Sequence, residues 1–130
     1  MKKLVFPFFI LILFLSSCLE DDYHVRFTDF VNITEYSIPD SAMVDDTVII
    51  EAKAEAYNGC WDNLYFDFQE LTDSSYSLAA YGTYESYGDC PEETVSINDV
   101  FEIIPNQTGK YIFYITVTPS TGKKDTLVVQ

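Results

Sequence analysis

Catalytic or metal chemistry in this chain of 130 residues would have to come from one histidine, three cysteines and 21 acidic side chains. A Ser-His-Asp or Cys-His arrangement needs an imidazole held rigidly in a pocket. The single histidine, His24, follows Cys18 by six residues, in a segment that reads as a tether and supplies no pocket. Cys60 and Cys90 lack a CxxC spacing and a nearby histidine, so zinc is unsupported. Asp21-Asp22 and Asp45-Asp46 are adjacent acids of the kind that loops offer to calcium. No EF-hand pattern accompanies them, and solvated turn acids are the simpler reading. A glycosidase pair of carboxylates cannot be singled out among so many acids. The chain reads as non-enzymatic, with no cofactor and no metal.

Where chemistry is absent, recognition remains. Trp61, Asn63, Tyr65, Asp67 and Gln69 fall on alternate positions of one segment and form the candidate binding face. Tyr76, Tyr81, Tyr84 and Tyr87 crowd the segment after it. Flat rings beside amides and carboxylates can stack on sugars, and tyrosine and tryptophan are also enriched at the centres of protein interfaces. The competing reading is that Trp61 and some tyrosines fill the core. Sequence alone leaves the choice open.

The elements that would carry this face are strands. From residue 25 the chain shows no helical period. In Thr47 to Tyr57, Val48, Ile50, Ala52, Ala54 and Ala56 take one side, and Ile49, Glu51, Lys53, Glu55 and Tyr57 the other. Such alternation marks a half-buried strand. Asn58-Gly59 predicts a hairpin turn. The strand from Trp61 then points Leu64, Phe66 and Phe68 away from the candidate face. Tyr76 to Tyr87 reads as one or two strands around Gly82, and Gly88 to Glu93 as a loop. Thr94 to Ile104 loses alternation near Asn98-Asp99, which suggests a bulge. Tyr111 to Thr118 alternates strongly, and Thr126 to Val129 closes the chain. Val31, Ile33 and Ile38-Pro39 suggest a first edge strand. The expectation is an all-β, single immunoglobulin-like sandwich of about seven antiparallel strands. Gly109-Lys110-Tyr111 fits a tyrosine corner, although Phe113 stands where an antibody domain has cysteine.

The N-terminus explains the third cysteine. Lys2 and Lys3 precede an apolar run from Leu4 to Leu15, too short to span a bilayer and of the length of a signal-peptide core. Leu15-Ser16-Ser17-Cys18 resembles the lipobox of bacterial lipoproteins, which implies cleavage before Cys18 and lipid on its thiol. The organisation expected is a signal peptide over 1–17, a lipidated cysteine and acidic tether over 18–24, and the sandwich over 25–130. Palmitate and other acyl chains on Cys18 would hold the protein to a membrane. Cys60 and Cys90 remain as an even pair in an exported domain, where disulfides persist, and a bridge between loops at one end of the sandwich is expected.

Charge narrows the partners. The whole chain carries a net −14. Removing residues 1–17 takes Lys2 and Lys3 but no acid, leaving 5 bases against 21 acids, a net of −16. No basic stripe remains to neutralise phosphates, so nucleic acid is excluded.

Ile38-Pro39-Asp40-Ser41, Asn58-Gly59-Cys60 and Thr108-Gly109-Lys110-Tyr111 together resemble the small immunoglobulin-like lipoproteins of Bacteroidota, over most of residues 31–130. Many of these have no assigned role. Glu20-Asp21-Asp22 after the anchor resembles their surface-export signal, which implies an outer-membrane protein, on the cell surface in preference to the periplasmic face. Asp40-Ser41-Ala42, Asp46-Thr47-Val48 and Asp125-Thr126-Leu127 resemble the O-glycosylation motif of the same bacteria. The expected function is non-catalytic binding, adhesion or assembly with an envelope or host protein. The alternatives are a glycan-binding lipoprotein of a nutrient-uptake system, and a small inhibitor or unrecognised hydrolase.

Overall fold

A computed structural model of the chain describes residues 23–130. Cys18 and the export and tether segments before Tyr23 lie outside the described residues. Nine strands follow in order: β1 (Val25–Phe30), β2 (Asn32–Ser37), β3 (Ser41–Ala42), β4 (Val48–Ala56), β5 (Trp61–Thr72), β6 (Ser75–Ser86), β7 (Val95–Ile103), β8 (Gly109–Thr118) and β9 (Thr121–Val129). There is no helix among the described residues. The all-β expectation is met, while the count is nine and not seven.

The strands make two sheets. The smaller one runs β2-β4-β7 and is antiparallel throughout. The larger one runs β1-β6-β8-β9-β3, with β5 paired to β6. Two of its ladders are parallel: β6 with β8 over Ser75–Leu78, and the short β3 with β9. These parallel ladders depart from the purely antiparallel sheets expected of an immunoglobulin-like domain.

Period-2 burial packs the sheets face to face. Val48, Ile50, Ala52, Ala54 and Ala56 of β4 are all buried, as their alternation predicts. Opposite them stand Leu78 and Ala80 of β6, Tyr111, Phe113 and Ile115 of β8, and Leu127 and Val129 of β9, in one continuous core. The small β4 side chains leave room for rings. Phe113 stacks on Tyr76, Tyr76 on Phe68, and Phe68 on Phe101, with centroids 5.3, 5.5 and 4.9 Å apart. This ladder crosses from β8 through β6 and β5 to β7 in the other sheet. Burial holds the Tyr76 hydroxyl proton above the ordinary tyrosine range, helped by the Glu70 carboxylate.

Several local expectations are corrected. Val25–Phe30, read only as the start of the domain, is a strand in its own right. Its two ends, Val25 and Phe30, are half-buried, and the four residues between them are open to solvent. The β4–β7 ladder runs unbroken from Val48↔Ile103 to Ala56↔Val95, so there is no bulge at Asn98-Asp99. Asp99 pairs regularly with Ala52 and is exposed at the middle of the strand. Asn58-Gly59 joins strands of different sheets and is a crossover, not a hairpin turn.

The tyrosine corner is built as its sequence suggests. The Tyr111 hydroxyl donates to the Gln107 carbonyl at 3.2 Å. Gly109 provides the positive φ of 136° that lets the chain turn into β8. The bridge Cys60–Cys90 joins the β4–β5 and β6–β7 connections at one end of the sandwich, with Cα atoms 5.2 Å apart.

Candidate binding face

The face begins with the β5–β6 pairing. Trp61 opposes Tyr84 and Asp62 opposes Thr83, but the next pair is Tyr65↔Tyr81. Asn63 and Leu64 therefore share the space opposite Gly82, which is a β-bulge. Asn63 takes a left-handed φ of 49°, which asparagine tolerates better than most residues. Its amide donates to the Asp62 carboxylate at 2.7 Å.

The bulge switches the parity of the strand. Before it, Trp61 points inward and is only 7% exposed. After it, Leu64, Phe66 and Phe68 point inward and pack against the core. Trp61 and Tyr65 thus lie on opposite sides of the sheet, and the five-residue face read from simple alternation is divided. Tyr65, Asp67 and Gln69 share the outer surface, Asn63 is exposed in the bulge, and Trp61 belongs to the interior.

Gly82 makes this arrangement possible. A Cβ there would lie 3.0 Å from Val31 and 3.1 Å from both Leu64 and Trp61. These three side chains are packed together and have little space to retreat. Gly82→Ala is expected to lower stability by about 1–3 kcal/mol, the range for overpacked cores. Urea denaturation measures it, and an unchanged midpoint would show that the bulge yields freely.

The outer face that results is aromatic. Tyr65 on β5 stacks on Tyr81 of β6, with centroids 5.6 Å apart and planes 23° from parallel. Phe30 of β1 packs on the other side of Tyr81 at 4.6 Å. Tyr65 is 49% exposed. Beside it, the Gln69 amide donates to both Asp67 oxygens, at 2.9 and 2.8 Å. Phe30 was not anticipated, because β1 was not recognised as a strand. The adjacent Thr28 and Asp29 break the apolar/polar alternation of this segment, so it carries little strand signal.

His24 is not a free tether residue. Its Nε2 lies 3.0 Å from a Glu85 oxygen, and its ring stacks on Tyr87 at 4.6 Å. This hydrogen bond is the main reason the Glu85 carboxyl sits below its ordinary range, and Arg26 adds to it. The contacts fasten the start of β1 to the end of β6. Among the described residues, no group of three His, Cys, Asp or Glu side chains is placed to hold a metal ion.

A surface hollow of about 320 Å³ lies on the smaller sheet beside Glu35, Glu51, Lys53 and Asn98. Its lining includes none of the outer face's stacked rings. No family model matches the chain, and neither a curated protein nor a solved structure matches it.

Proposed function

We propose that this chain is a lipid-anchored cell-envelope protein whose sandwich binds another protein through the outer face of its larger sheet. The observation that carries this reading is the stack Phe30–Tyr81–Tyr65, which spans three strands and lies next to Asp67 and Gln69. Exposed rings with a polar border have the composition of an interface centre.

The same geometry counts against a sugar platform. A sugar stacks on the flat face of a ring. Tyr81 has one face covered by Phe30 and the other by Tyr65, while Trp61 is withdrawn into the core. A protein surface can instead use the ring edges and hydroxyls.

The anchor is Cys18, and the location is the outer membrane with the domain on the cell surface. The function is non-catalytic binding, and the fold is a variant of the immunoglobulin-like sandwich. The tyrosine corner and the paired sheets support that kinship, and the parallel β6–β8 ladder is its departure.

Photo-cross-linking in cells tests the reading. A photoreactive residue replacing Tyr65 should give one discrete protein adduct in the membrane fraction. The same residue replacing Ile49, exposed on the smaller sheet, should give none. Cys18→Ala should remove the adduct from that fraction. Equal products from positions 49 and 65, or none from either, would overturn the proposal.

A further inference from the structure

Trp61, lost from the outer face, lies at the border of a separate cleft. This cleft of about 270 Å³ opens where β1 passes into β2, between Phe27, Asp29, Glu55, Tyr57 and Trp61, with Pro119 at its rim. Its aromatic walls stand at steep angles to one another. The Phe27 ring is 88° from the Trp61 indole plane and the Tyr57 ring 70°, each with centroids 6.1 Å from the indole.

The Phe27 wall is held from behind. Tyr84 stacks on it at 5.0 Å, and the Tyr84 hydroxyl lies 3.2 Å from Sγ of Cys90 in the disulfide. Tyr57, by contrast, is 74% exposed, so its ring is available to a ligand at little cost in stability.

The charged side chains that line the cleft, Asp29 and Glu55, share one sign. Asp29 has no basic partner among the described residues, and its carboxylate is oriented by the Phe30 amide at 2.8 Å. Glu55 adds a second carboxylate, paired with Lys53 at 2.6 Å. Ring faces are the negative part of an aromatic quadrupole. Rings and carboxylates together therefore favour a cation that is apolar enough to leave water.

Trp61 itself is a poor choice for packing alone. Its Nε1 is buried with no hydrogen-bond partner, a cost that phenylalanine would avoid. Tryptophan is, however, the strongest ring for a cation, and Trp61, although only 7% exposed, is among the residues that line the cleft.

We infer that this cleft is a binding site for an organic ammonium group, walled by the exposed rings of Phe27 and Tyr57 with Trp61 at its border, and neutralised by the Asp29 carboxylate, unpaired among the described residues. The cleft adjoins the outer-face stack through Phe30, which lines both, but the inference rests on Phe27, Tyr57, Trp61 and Asp29 and does not depend on that reading. An ammonium group can come from a free quaternary amine or from a lysine side chain, and both present the same chemistry.

Trp61 is the only tryptophan in the chain, so its emission reports directly on the cleft. The purified domain with its disulfide intact is titrated with choline, with Nα-acetyl-lysine methylamide, and with the neutral choline isostere 3,3-dimethylbutanol. A saturable change with at least one cation and none with the isostere is expected. Choline alone responding identifies a quaternary head group, and the lysine amide responding identifies a side chain of a peptide. Tyr57→Ala should weaken binding about tenfold, within the range of a desolvated cation–π contact. Asp29→Asn should weaken it in the same direction. Circular dichroism establishes that both variants are folded. No saturable response to either cation, an equal response to the isostere, or wild-type affinity in folded Tyr57→Ala would overturn the inference.

Discussion

Phe113→Ala is expected to destabilise the domain by about 3–5 kcal/mol, the range for truncating a fully buried phenylalanine. Phe113 is 1% exposed and stands at one end of the ring ladder. Its neighbour Tyr76 lies 5.3 Å away with planes only 17° from parallel. Truncation would empty the space between the sheets and leave Tyr76 with one stacking partner, Phe68. Such a stack contributes about 0.5–1.5 kcal/mol beyond the area it buries. The small β4 side chains opposite, Ala52 and Ala54, cannot fill the gap. A domain of this size has about 5–15 kcal/mol in total, so the loss is at least about a fifth of the whole. Urea denaturation should show a large fall in the midpoint with an unchanged slope. A loss below about 1 kcal/mol would mean that the sheets close over the cavity.

Removing the disulfide should have an effect of similar size. Cys60 and Cys90 are separated by 30 residues, and closing a loop of that length in the unfolded chain contributes about 3–4 kcal/mol in the chain-entropy model. The bridge also fixes a local structure that other bonds share. The Gly59 amide donates to the Pro91 carbonyl at 2.8 Å, and the Glu85 amide to the Cys60 carbonyl at 2.9 Å. The double variant Cys60→Ala/Cys90→Ala should therefore melt well below the wild type. The wild type in reductant should fall to the same melting temperature, and reductant should not move the variant. A wild-type melting curve insensitive to a reductant that fully reduces it would sink the prediction. The loosened end is the one bearing Trp61 and Tyr84, so changed Trp61 emission should accompany the loss.

The sequence by itself determined which residues face inward along most strands. In β4 the run Val48 to Ala56, and in β8 the set Tyr111, Phe113 and Ile115, could be assigned to the core because side chains alternate across a strand with period 2. The run Gly109-Lys110-Tyr111 carried the tyrosine corner, since that contact is local. The pairing of Cys60 with Cys90 followed from compartment and number.

The identity of neighbouring strands was not written in the alternation. Alternation states a residue's face and says nothing of the strand beside it, so the parallel contact of β6 with β8 was not legible. Nor was the division of Trp61 from Tyr65. That depends on one left-handed residue, Asn63, and on the space that Gly82 leaves across the ladder. A single inserted residue reverses every later side chain, and its position is set by the partner strand. The outer stack has the same origin, because Phe30, Tyr81 and Tyr65 lie far apart in the chain and meet only through the registers β1–β6 and β5–β6.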